Sequence, residues 1–319
     1  MILIIFLLIV GLAVLIFGAD LLVRGASSVS VKLGISPLVV GLTVVAFGTS
    51  APELVVNLLG AFNGTADLAL GNIVGSNITN ILLILGVSAL FIDLKVQKST
   101  TWREIPFALL ASIVLFFVAG DLILDNTFGI ISRGEGFVLL GFFAIFLVYT
   151  FDLFNKKQNL EQSENIKIYK NSQAILLVVF GVLGLFFGGQ IFVNNAILIS
   201  KMLGMSEALI GLTVVAIGTS LPELATSLVA AFRKQSDIAI GNIVGSNIFN
   251  IFWILGLTSI IHPLVVNRVI LQDIVISIIV TLILFFFMFM GKKHILQKKQ
   301  GVLFLILYVL YIIFIIWRG

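Results

Sequence analysis

Apolar runs of about 20 residues, the length that crosses a hydrocarbon core of about 30 Å, follow one another from end to end of the chain. Ten of them lie near residues 2–23, 36–61, 68–92, 104–120, 136–154, 173–194, 206–232, 238–262, 269–290 and 301–317. The short stretches between them hold most of the charge. This pattern predicts an all-α integral membrane protein with ten transmembrane helices. The first run lacks a basic leading segment and is longer than the apolar core of a secretory signal, so it reads as a retained helix.

The runs also repeat. Residues 34–92 lie on residues 204–262 with a constant offset of 170, and about half the positions are identical. GLTVVAFGTSAPEL from Gly41 answers GLTVVAIGTSLPEL from Gly211; GNIVGSNITNI from Gly71 answers GNIVGSNIFNI from Gly241. The register reaches back to Phe17-Gly18 and Phe187-Gly188. A duplication on this scale divides the chain into a first five-helix repeat (1–154), a polar linker (155–172) and a second five-helix repeat (173–319). Five is odd, so the second copy must enter the bilayer from the opposite face. The repeats are therefore predicted to be inverted, an arrangement that places sites near the midplane.

Charge distribution sets the orientation. Of the 19 Lys and Arg residues, only Arg133, Lys201, Arg268 and Arg318 fall outside the connections that follow the odd-numbered helices. Basic residues favour cytoplasmic loops, which makes the linker cytoplasmic and both termini extracytoplasmic. The net charge of +4 is thus a topology signal and does not indicate a nucleic-acid partner. With 60% hydrophobic and 11% charged residues, a water-soluble domain is excluded on composition. No cysteine is present, which removes disulfides and thiolate metal sites. His262 and His294 match no metal-ligand spacing and read as loop or helix-end residues.

Glu53 and Glu223 sit within apolar runs, at equivalent positions of the two repeats. A charge held at the bilayer centre costs at least about 2.5 to 3.5 kcal/mol, and no Lys or Arg lies in the second, third, seventh or eighth helix to offset it. A bound cation, a proton or water remains. Pro52 and Pro222 immediately precede the glutamates, with Gly48 and Gly218 four residues upstream. Proline removes a backbone donor and crowds the preceding turn, so the second and seventh helices are predicted to be broken here. Freed carbonyls, with the hydroxyls of Thr49, Ser50, Thr219 and Ser220, are hard oxygen donors of the kind calcium takes six to eight at a time. Irregular backbone at this depth is tolerated only when buried or lining a cavity.

The third and eighth helices carry a second polar set. Asn72, Ser76 and Asn80 are spaced four apart and share one helical face; Asn242, Ser246 and Asn250 answer them. Asn77 and Asn247 point off that face, where interhelical hydrogen bonding and ligation are equally open readings. Gly71 and Gly75, with Gly241 and Gly245, have a spacing that permits close backbone approach. Asp20 precedes Arg24 by one turn and reads as its ion-pair partner. Asp67 and Asp237 read as helix-start residues facing the positive dipole end.

With GTSxPE followed by GNxxGSN, twice, the sequence resembles the calcium/cation antiporter superfamily, particularly its prokaryotic sodium/calcium exchanger members. The resemblance extends over nearly the whole chain. It implies a fold in which the second, third, seventh and eighth helices surround four ion positions while the first and sixth slide against them. It also implies a calcium position formed by Glu53 and Glu223 with the Thr49 and Thr219 carbonyls. Flanking sodium positions would use Ala46, Thr49, Ser50, Glu223 and Ser246 on one side, and Ala216, Thr219, Ser220, Glu53 and Ser76 on the other. One departure stands out: the archaeal pattern has Asp at the central position of the second repeat, whereas here both central residues, Asn80 and Asn250, are neutral.

The expected activity is therefore antiport of Na⁺ for Ca²⁺ across a cell membrane, plasma or inner, with calcium exported and no covalent chemistry. The partners expected are these ions and the bilayer, without a cofactor, nucleic acid or obligatory protein partner. A potassium-dependent exchanger, a proton/calcium antiporter of the same fold and a passive cation channel are the alternatives.

Overall fold

The computed structural model describes residues 1–62, 67–120, 129–155, 166–204 and 216–318. The helices are α1 (Ile2–Leu33), α2 (Pro37–Thr49), α3 (Ala51–Phe62), α4 (67–91), α5 (Lys98–Val118) and α6 (Arg133–Asn155). After the linker come α7 (Asn171–Met202), α8 (Ala216–Thr219), α9 (Leu221–Phe232), α10 (Ser236–Ile261), α11 (Arg268–Phe287) and α12 (Lys298–Arg318). Among the described residues, eight helices are long and apolar enough to cross a membrane, or nine if the broken pair α2 and α3 forms one span. The start of the predicted seventh helix falls in 205–215, outside the described residues.

Large apolar side chains are exposed along these helices, among them Phe6, Phe17, Val148, Phe180, Val309 and Ile313, while Thr49, Ser76, Asn242 and Asn250 are buried. That is the reverse of a water-soluble arrangement and suits a lipid solvent.

Local sequence explains the first helix boundary. Gly34, at φ 65°, closes α1 in the left-handed conformation that glycine adopts without penalty. Two residues later Ser36 caps α2 by accepting from the Leu38 N–H at 3.3 Å, with Pro37 in the first helical position.

The chain divides into two compact units. The first comprises Met1–Pro52 and Thr150–Asn242. Its spine is the pair α1 and α7, which run antiparallel in backbone contact. Gly11, Gly18 and Gly25 recur every seven residues on one face of α1, as do Gly181 and Gly188 on α7. A Cβ at Gly11 would stand 2.7 Å from Phe192 N, and one at Gly18 2.7 Å from Leu185 N. From the other side, a Cβ at Gly181 would stand 2.5 Å from Leu22 N, and one at Gly188 2.5 Å from Leu15 N. Only glycine fits such a seam. Leu15, Ala19, Leu22, Val23 and Leu185 fill the buried core beside it. Asp20 binds Arg24 at 2.5 Å, as its spacing predicts, and also Arg233 after α9, its Oδ1 taking Nε at 2.6 Å.

The second unit comprises Glu53–Tyr149 and Ile243–Gly319. Here α12 packs on the second half of α4, and α11 on α5. Rings of Phe107, Phe142, Phe143, Phe146, Phe249, Phe252 and Trp253 interleave between α5, α6 and α10. Two short antiparallel ladders, unforeseen in an all-α reading, tie the connections: β1 (Leu94–Lys95) with β4 (Ile295–Leu296), and β2 (Gly129–Ile131) with β3 (Leu264–Val266). His294 sits in the turn before β4 at φ 59°, its Nδ1 2.9 Å from Thr101 Oγ1, and His262 ends α10, as expected of both.

Candidate functional site

In the first unit the site elements are the end of α2, all of α8 and the start of α9. Proline forces the break, and it falls two residues earlier, at the serine of each GTSxPE segment. Ser50 has φ −82°, ψ 4° and Ser220 φ −86°, ψ 4°, so the two copies leave helical geometry in the same way. Glu223 opens the next helix and is buried, 1% exposed. Its Oε1 accepts from the Ser50 hydroxyl at 3.2 Å, joining a residue of the first repeat to the glutamate of the second. Thr49 donates to Asn242 Oδ1 at 2.9 Å, and the Asn242 amide donates to Ser227 Oγ at 3.0 Å. A carboxylate, three hydroxyls and an amide thus form one buried set of oxygens. Ser220 is buried beside its helix break, and Thr219 stands at 9% exposure. Ala46 opens the last turn of α2, where its carbonyl accepts from Ser50 N at 3.0 Å. Ala216 begins α8; its side chain lies outside the described set.

In the second unit Glu53 is likewise 1% exposed, and one turn later Asn57 donates to the Glu53 carbonyl at 2.6 Å. Ser76, Asn80, Ser246 and Asn250 are all buried on α4 and α10. Both helices pass through a π-helical turn, Asn80–Leu85 and Phe249–Leu255. Wide turns of this kind recur at functional sites, and here each contains the predicted central asparagine.

Asn77 and Asn247 prove to be interhelical hydrogen-bond partners. The Asn77 amide donates to the Asn247 carbonyl at 3.1 Å, and the Asn247 amide returns the bond to the Asn77 carbonyl at 3.2 Å. Asn80 then donates to Asn247 Oδ1 at 2.9 Å, and Asn250 to Asn77 Oδ1 at 3.0 Å.

The close approach expected of Gly241 is present, a Cβ there standing 2.7 Å from the Leu38 carbonyl. Gly71 and Gly75 meet no described atom within 4 Å. Asp237 lies in the first turn of α10. Asp67 begins α4, its side chain outside the described set.

Three partners escaped the sequence reading: Ser227, Asn57 and the orienting role of Asn242. Ser227 and Asn57 occupy the same repeat position, four residues after the glutamates, so a polar residue one turn downstream in both copies was the available signal.

The sodium/calcium exchanger protein family model matches residues 3–151 and 173–317. The chain belongs to the sodium/calcium exchanger family. It is 38% identical over 312 residues to the putative antiporter CaxA of Alkalimonas amylolytica, covering 95% of each chain. It is 33% identical to the sodium/calcium exchanger MaX1 of Methanosarcina acetivorans, covering 96% of each. Among solved structures, the sodium-calcium exchanger NCX_Mj soaked with Na⁺ superposes with a TM-score of 0.83 at 32% identity, covering 98% of each chain. This family member is therefore a multi-pass membrane cation/Ca²⁺ antiporter, a transporter and not an enzyme.

Proposed function

We propose that the chain exchanges Na⁺ for Ca²⁺ by alternating access and exports calcium, with Glu53 and Glu223 carrying the charge of the load. The observation that carries this reading is the Glu223 carboxylate, buried and accepting from the Ser50 hydroxyl, with Asn242 donating to its backbone carbonyl and Thr49 bound to Asn242 in turn. Two carboxylates are neutralised by one Ca²⁺ or by two Na⁺, so either load crosses the bilayer without bare charge. Unloaded, the site keeps two negative charges that oppose occlusion.

Calcium takes the Thr49 and Thr219 carbonyls with the glutamates. Sodium takes the positions around Ala46, Ser50 and Ser246 and around Ala216, Ser220 and Ser76, and Asn80 and Asn250 serve as neutral central oxygens. Ten helices form two inverted repeats, 1–154 and 173–319, joined by a cytoplasmic linker at 155–172, in the cell membrane with both termini extracytoplasmic.

Paired contacts support the inversion. Gly11 faces the Gly188 turn as Gly18 faces the Gly181 turn, and residues 11 and 18 are the repeat equivalents of 181 and 188. Asn77 and Asn247, also equivalents, exchange identical bonds.

The test is calcium uptake into vesicles under an imposed sodium gradient, a proton gradient, a sodium gradient with potassium, or none. Sodium alone should drive uptake, and Glu53→Gln or Glu223→Gln should abolish it without changing the chromatographic profile. Uptake driven only by protons, or only with potassium present, would replace the sodium reading. Uptake without any gradient would make the protein a channel.

A further inference from the structure

The amide network on α4 and α10 fixes which atom each central asparagine leaves over. A backbone carbonyl only accepts, so the Asn77 atom 3.1 Å from the Asn247 carbonyl must be the NH₂. Asn77 Oδ1 therefore faces the other way, toward Asn250, and the Asn250 atom 3.0 Å from it must be NH₂ as well. The same reasoning runs from the Asn247 amide at 3.2 Å to Asn80 at 2.9 Å. Both orientations thus follow from hydrogen-bond logic, since swapping either amide would set two acceptors or two donors face to face. What is left over on Asn80 and Asn250 is Oδ1, buried and without a hydrogen-bond partner among the described residues.

We propose that Asn77 and Asn247 are positioning residues: each holds the NH₂ of the central asparagine on the opposite helix, so that Asn80 and Asn250 present oxygen, and never N–H, to a cation. The inference rests on the cation-transport reading above. It explains why these two residues point away from the polar face of their own helices. Their work is done across the pair, Asn77 on Asn250 and Asn247 on Asn80. Without them a carboxamide could turn its NH₂ toward the ion, replacing a ligand by a repelling donor.

The crossed pairing makes the test specific. In purified full-length protein without Na⁺, ⁴⁵Ca²⁺ binding is measured for Asn77→Ala, Asn250→Ala, Asn80→Ala and the double variants. Loss of one oriented oxygen should raise the Kd about tenfold. The Asn77→Ala effect should vanish in an Asn250→Ala background and persist in full in an Asn80→Ala background, although Asn80 lies one turn away on the same helix. A general packing defect would show no such crossing. The mirror cycle, Asn247→Ala with Asn80→Ala, repeats the test independently. Equal additivity in all pairs would overturn the proposal, as would failure of both single variants at 77 and 247 to fold, which would assign the network to the fold. If Asn80→Ala and Asn250→Ala bind Ca²⁺ normally, the cation reading of the central amides fails instead.

Discussion

Ser50 donates its hydroxyl to Glu223 Oε1 at 3.2 Å, so the serine of one GTSxPE segment serves the glutamate of the other. A hydrogen bond to a charged group contributes roughly 1.5 to 3 kcal/mol. If the hydroxyl passes to sodium when the site loads, Ser50→Ala should raise the Na⁺ concentration for half-maximal exchange about tenfold, with Ca²⁺ affinity changed less. Sodium titration of calcium flux in vesicles reads this. An unchanged or stronger Na⁺ response would leave Ser50 as a partner of the empty carboxylate only.

Topology has an equally direct check. Cysteines introduced at Ile2 and at Asn159 in this cysteine-free chain should react with an impermeant reagent from opposite sides of the membrane. Same-side labelling would remove both the orientation and the inversion of the repeats.

The glycine seam between α1 and α7 has no room for a side chain. Gly18→Val would drive atoms into the Leu185 backbone, 2.7 Å from where the Cβ must stand, and overpacking of this kind costs about 1 to 3 kcal/mol or more. Its melting temperature in detergent should fall and exchange should be lost. Gly141→Ala, whose Cβ meets no described atom within 4 Å, should behave as wild type. If Gly18→Val melts normally, the two helices are not in backbone contact.

The paired glutamates, the prolines and the asparagine-rich helices were legible in the sequence because a charge or a helix breaker inside an apolar run has no ordinary explanation. The duplication then made each signal appear twice. What stayed hidden depends on long-range pairing. Asp273 and Arg318 are 45 residues apart and share no periodic pattern, yet they form a bidentate pair. The π-helical turns at Asn80 and Phe249 leave no mark in composition, and strands of two or three residues are too short to show alternation. The roles of Asn77 and Asn247 were undecidable from one helix, because their partners lie on the other.

Arg318 holds Asp273 through Nη1 to Oδ1 at 3.0 Å and Nη2 to Oδ2 at 2.9 Å, with both side chains mostly buried. The pair joins α12 to α11. Removing one partner leaves an uncompensated charge in a poorly solvated place, at a cost of about 3 to 5 kcal/mol. Arg318→Gln should therefore lower the melting temperature markedly, and Asp273→Asn in the same chain should recover part of the loss. Flux per folded molecule should stay near wild type, since neither residue belongs to the proposed site. A melting temperature indifferent to Arg318→Gln would show the pair to be solvated.

The most demanding prediction concerns Asn250, whose NH₂ is committed to Asn77 Oδ1 at 3.0 Å. An aspartate there can meet the same oxygen only by donating an O–H, because an ionised carboxylate would set acceptor against acceptor. Asn77 cannot turn to help, since its own NH₂ is held by the Asn247 carbonyl at 3.1 Å. Asn250→Asp should accordingly work as a neutral acid that mimics the amide, with its second oxygen still offered to the ion. The sign of the pH dependence follows. Exchange by Asn250→Asp should be present at low pH, where the carboxyl is protonated, and fall or change its coupling as pH rises and the proton leaves. Wild type, with an amide at this position, should lack that step. Asn250→Leu, which supplies neither donor nor oxygen, should be inactive throughout. Sodium-driven calcium flux across a pH series in the three proteins decides it. If Asn250→Leu matches wild type, the residue is packing; if Asn250→Asp gains activity as pH rises, the orientation of the amide network is wrong.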